Sequence, residues 1–85
     1  MSFEDEIFSR SQDFVAGRIS VRELFDWVFQ QEPYWGARLA PGHRARDLAS
    51  AIELAVFDLD GGFRNEGEAR DLIVKELSQL SSPRP

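Results

Sequence analysis

Gly17-Arg18-Ile19-Ser20-Val21-Arg22-Glu23-Leu24-Phe25-Asp26-Trp27-Val28-Phe29 is a helix start specified several times over. Gly17 suits the left-handed residue that closes a preceding helix. Ser20 is a good N-cap, and Glu23 three residues later completes a capping box, so two orphan backbone N–H groups find side-chain acceptors. Ile19 before the cap and Leu24 after it are placed to form a hydrophobic staple. Six large apolar residues follow within nine positions. At ~100° per residue, Val21, Leu24, Phe25 and Val28 share one face, with Trp27 and Phe29 on either side. An arc that wide predicts the central helix of the fold, with neighbours on more than one side.

Working outward, a first helix is predicted from Phe3 to Ala16. Ser2 caps it with Asp5 as box partner, and Glu4, Asp5 and Glu6 lie where the helix dipole favours negative charge. Phe3, Ile7, Phe14 and Val15 make its apolar stripe, which Ser11 interrupts. The helix opened by Ser20 must stop before Pro33, because a residue preceding proline is pushed out of the α region. Residues 33–42 read as the longest irregular stretch, with prolines and glycines around Tyr34, Trp35 and Leu39, and are expected to fold back over one end of the core.

A third helix is predicted from Arg44 to Leu59. Its Leu48, Ile52, Ala55, Val56 and Leu59 recur at helical spacing, and Gly61-Gly62 ends it. Asn65 caps a fourth helix, with Glu68 three residues later, and Ala69, Leu72, Ile73, Leu77 and Leu80 form its stripe. The expected fold is therefore all-α: an antiparallel four-helix bundle with a longer loop between the second and third helices. It occupies residues 1–80 as a single domain, with residues 81–85 a disordered tail.

With 85 residues the chain has room for one domain and no large enclosed cofactor. A net charge of −5 argues against nucleic acid, whose phosphates need clustered Lys and Arg, and favours a basic partner. The absence of cysteine removes disulfides, thiolate zinc sites and thiol nucleophiles. The longest apolar run is Leu54-Ala55-Val56-Phe57, far short of a membrane span or a signal peptide, and the expected location is the cytoplasm.

Two motifs point elsewhere and fail on context. Ala55-Val56-Phe57-Asp58-Leu59-Asp60-Gly61 looks like the D-x-D-G motif of haloacid-dehalogenase-type phosphatases, whose nucleophile and general acid stand at the carboxyl edge of a parallel sheet beside Mg²⁺. Here the residues before it have helical period. The same aspartates open like a calcium loop, but Phe63 stands where the turn glycine belongs and Ala69 where the bidentate Glu belongs. His43, the only histidine, has no second imidazole or thiolate to build a metal site with, and reads as a surface residue at a helix N-terminus. Neither a catalytic site nor a cofactor is expected. Trp27, Phe29, Tyr34 and Trp35 read first as core and loop packing, and second as a ligand-stacking or partner surface. The tightest acidic group is Asp58, Asp60, Glu66 and Glu68, around the third turn.

The order Phe14-x-x-Gly17-x-Ile19-Ser20-x-x-Glu23-Leu24-Phe25, followed by an aromatic-rich helix, resembles the small immunity proteins of the colicin D immunity type. The resemblance continues in a third helix ending near an Asp, then a turn, then the acidic start Glu66-Gly67-Glu68-Ala69-Arg70, and covers most of residues 8–80. The chain departs from that pattern in its Pro/Trp stretch at 33–42 and in a shorter acidic connection between the last two helices. The resemblance implies a non-enzymatic four-helix bundle that neutralises a nuclease toxin by covering its basic active site with carboxylates. Asp58, Asp60, Glu66 and Glu68 are the residues expected to meet such a partner, with the Tyr34–Leu39 stretch as the alternative interface. The reading from another class is a small structural or regulatory interaction module, self-associating through Trp35 and its loop.

Overall fold

The computed structural model describes residues 2–81, with the side chains of Leu80 and Ser81 outside that description. The described residues form five helices and no strand: α1 (Phe3–Val15), α2 (Val21–Gln30), α3 (Glu32–Arg38), α4 (Arg44–Asp60) and α5 (Glu66–Ser81). The chain is all-α, but the expected four helices become five. No helix among the described residues is long and apolar enough to cross a membrane.

The predicted caps form. Ser2 Oγ accepts from the Asp5 N–H at 3.2 Å. At α2 the box is reciprocal, Glu23 N–H donating to Ser20 Oγ at 3.1 Å and Ser20 N–H to Glu23 Oε1 at 3.4 Å. At α5 the Glu68 N–H donates to Asn65 Oδ1 at 2.8 Å, and the Asn65 N–H to Glu68 Oε1 at 3.1 Å. Helices α1 and α4 end alike. Gly17 (φ 82°) and Gly62 (φ 78°) adopt the left-handed conformation that a side chain resists. At α1 the Arg18 N–H reaches Asp13 O (2.8 Å) and the Gly17 N–H reaches Phe14 O (3.0 Å); at α4 the Phe63 N–H reaches Asp58 O (2.8 Å) and the Gly62 N–H reaches Leu59 O (3.3 Å). Both are Schellman endings, which satisfy the last carbonyls of the helix.

The centre of the fold is α4, not α2. Helix α4 packs against all four other helices. Six of its residues are fully buried: Ala45, Leu48, Ala49, Ile52, Ala55 and Val56. Its three buried alanines let neighbouring backbones come close on several sides, a property that counting bulky residues overlooks. Helix α2 buries only Leu24 and Val28. Its rings cover the rim instead, Phe25 and Trp27 half-buried and Phe29 53% exposed. Ile7, Ser11 and Phe14 of α1 and Ala69, Ile73 and Leu77 of α5 complete the core.

The stretch expected to be irregular contains α3. Pro33 interrupts α2, as its missing N–H requires, but it occupies the first turn of the next helix, where an N–H would have no partner anyway. Gln31 serves both as C-cap of α2 and as N-cap of α3. The stretch does fold back over the core. Trp35 is 5% exposed, and its indole N–H donates to Val28 O at 3.0 Å. Arg46 closes the other end of α3, donating to Gly36 O (3.3 Å) and to Leu39 O. Helix α5 includes Ser81, the first residue of the expected disordered tail 81–85; residues 82–85 lie outside the described residues.

Candidate protein-binding surface

The turn between α4 and α5 is built on the Schellman ending of α4, which fixes Phe63 and Arg64 over the Asp58 carbonyl. The structure gathers the four acidic candidates around this turn and gives three of them internal partners. Asp58 Oδ2 accepts from Arg64 Nε at 2.8 Å, with both side chains partly buried. Asp60 takes both arms of the Arg22 guanidinium from α2, Nη1 to Oδ2 at 3.1 Å and Nη2 to Oδ1. Its hydrogen bond to Arg22, aided by that charge, holds the Asp60 carboxyl below the ordinary value and pushes the Arg22 guanidinium up. The Glu68 carboxylate caps its own helix. Glu66 alone of the four has no hydrogen bond or ion pair by its side chain among the described residues. It borders a shallow cleft with Ser20, Arg22 and Arg70.

The two aspartates that open like a calcium loop are thus engaged by arginines rather than arranged around a cation. Among the described residues no three side chains are grouped as metal ligands. The phosphatase-like run Ala55–Leu59 is helical, so its aspartates do not stand at a strand end. His43 does more than lie on the surface: its Nδ1 accepts the Ala45 N–H at 3.2 Å, capping α4. Residue periodicity gives no signal for a histidine cap, which depends on the ring's rotamer and tautomer.

The calcium-loop pattern marks one residue of the turn, Phe63, only as a misfit. Phe63 is 81% exposed, the most exposed of the large apolar side chains among the described residues. Its ring lies against Gly61, where an added Cβ would come within 2.9 Å of two ring carbons. The available signal was an aromatic residue between two glycines and a cap, on no helical stripe.

A second apolar area lies across α2, α3 and α4. Phe25 stacks on Phe29 (centroids 5.8 Å apart) and meets Phe57 edge-on at 5.7 Å. Phe57 is 55% and Leu54 49% exposed. Beside them is a groove of about 640 Å³ lined by Phe29, Glu32, Pro33, Trp35, Gly36, Ala37 and Arg46. Glu53 of α4 meets Glu32 of α3 here. Burial, then the neighbouring Glu32 charge and the hydrogen bond between the two carboxyls, push Glu53 up to about 7.

No protein-family model, curated protein or solved structure matches this chain. The likeness to colicin D-type immunity proteins therefore rests on the residues quoted for it. The aromatic set divides by role. Trp35 is buried with its N–H engaged, and Trp27 stacks on Phe3 (5.4 Å) beneath the Arg10 guanidinium (4.7 Å). Phe29 and Tyr34 remain as exposed rings, so a self-association surface in this stretch would present Tyr34 rather than Trp35.

Proposed function

We propose that this chain is a non-enzymatic, cytoplasmic binding protein of immunity type that covers and neutralises a basic toxin domain, in particular a nuclease. In this reading α1, α2, α4 and α5 run up and down as an antiparallel bundle that presents the α4–α5 turn. The observation that carries it is the 81% exposure of Phe63 within an acidic group. Binding energy at protein interfaces concentrates in a few aromatic and arginine side chains, ringed by groups that mainly exclude water. Phe63 supplies the apolar contact, and Glu66, the carboxylate free of an internal partner, supplies the charge. Asp58, Asp60 and Glu68 form the rim, their charge moderated by Arg64, Arg22 and the helix cap. A net charge of −5 steers a cationic partner towards the molecule as a whole.

The test begins at the locus. A neighbouring reading frame encoding a basic toxin domain supports the reading. With that domain in hand, Phe63→Ala should weaken binding by about tenfold or more, the loss expected of a central aromatic contact, while leaving the thermal midpoint unchanged. Full affinity in the Phe63→Ala chain removes the turn as the interface. Undiminished toxicity in the presence of the unaltered chain removes the immunity reading itself.

A further inference from the structure

The groove between the end of α2, α3 and α4 lies away from the α4–α5 turn and is not used by the reading above. Its apolar wall is Phe29, Pro33 and Ala37, with the buried Trp35 behind them. Phe57, like Phe29 more than half exposed, continues the apolar surface beyond the groove through Phe25, which touches both rings. Large apolar side chains grouped at a groove, rather than scattered singly, mark an interaction surface. Glu32 lines the groove, the Glu53 carboxyl of α4 adjoins it, and neither makes an ion pair among the described residues. Arg46, the basic residue at the groove, has its Nη1 directed at the carbonyls of Gly36 and Leu39. Two adjacent carboxyls must share a proton or accept a cation, since both cannot ionise cheaply at close range.

We propose that this groove docks a protein segment in which an aliphatic side chain adjoins a lysine or arginine. The aliphatic side chain lies between Phe29 and Ala37, and the cation sits between Glu32 and Glu53. Charge complementarity selects this occupant. A second copy of the chain would bring another net −5 and a second carboxyl pair against the first. An acidic segment or a nucleic acid would meet the same repulsion.

The experiment titrates the full isotope-labelled chain with three short synthetic amphipathic peptides: leucine–lysine, leucine–glutamate and serine–lysine. Nuclear magnetic resonance locates the binding, and the Trp35 indole N–H signal reports on the groove wall. The leucine–lysine peptide should shift Phe29, Trp35, Ala37 and Glu53, whereas the other two should leave them in place. The double variant Glu32→Gln with Glu53→Gln should weaken that binding about tenfold or more, as loss of a close interfacial charge pair does. Phe29→Ala, at an exposed position, should weaken it separately without changing the thermal midpoint. Any one of three results overturns the proposal: no shifts at the groove, shifts centred on Phe63 or spread over all the acidic surface, or equal binding by the double variant. Since no toxin domain enters this experiment, its failure leaves the proposal for the α4–α5 turn standing, and the reverse also holds.

Discussion

Ser11 sits in the buried stripe of α1 between Ile7 and Phe14, fully inaccessible, and its hydroxyl oxygen has no hydrogen-bond partner among the described residues. A buried hydroxyl without a partner gives up its hydration for nothing in return, at a cost of about 1–3 kcal/mol. Ser11→Ala removes the orphan and improves helix propensity, so it should raise stability by about 1 kcal/mol. A lower denaturation midpoint would mean that Oγ has a partner after all. Glu53 presents the opposite problem, a carboxyl whose proton the folded chain holds more tightly than the unfolded one, with a folded-state pKa of about 7 against an ordinary 4.5. That contribution is complete below about pH 4.5, declines as pH rises towards about 7, and is gone above it. Glu53→Gln keeps a donor for Glu32 and cannot ionise. It should be the more stable chain at about pH 8, by on the order of 1 kcal/mol once solvent screening of a half-exposed group is allowed for. Chemical denaturation of both chains across this range tests it. A difference between them that does not vary with pH would exclude the shared proton.

Among the elements, what could be read from sequence was what is determined locally. The Ser2, Ser20 and Asn65 caps and the glycine stops at 17 and 62 involve residues within three or four positions of one another, and they set most helix limits to within a residue. Ser20→Ala should accordingly cost about 1 kcal/mol, since it removes one half of a reciprocal box. An unchanged midpoint would place the start of α2 elsewhere. Two things escaped because they are decided non-locally. A proline marks the end of one helix as readily as the first turn of the next, and α3 forms because Trp35 reaches back to Val28 and Arg46 closes its last carbonyls. The central position of α4 depends on alanines, whose small size matters only once neighbours are packed against them. The acidic group at the α4–α5 turn was legible as composition. That Arg22 and Arg64 would pair with its aspartates was not, because Arg22 lies 38 residues from Asp60.

At the scale of the whole molecule, that pairing changes how charge can be tested. Reversing all four carboxylates at once would break the Asp58–Arg64 and Asp60–Arg22 pairs and the Glu68 cap, confounding binding with folding. Glu66→Lys avoids this, since Glu66 has no internal partner to lose. It moves the net charge from −5 to −3, exchanging one negative charge for one positive. Charge complementarity acts chiefly on the rate of encounter, and salt suppresses it beyond a Debye length of about 8–10 Å. With a basic toxin domain as partner, Glu66→Lys should therefore slow association several-fold at low salt, an effect that shrinks as salt is added. Phe63→Ala should act mainly on dissociation, because it removes a contact formed only after docking. Neither substitution should move the thermal midpoint. Stopped-flow association at several ionic strengths separates the two. Association that ignores both salt and Glu66→Lys would take the interface away from the α4–α5 turn, with the exposed Tyr34 side of α3 the next surface to test.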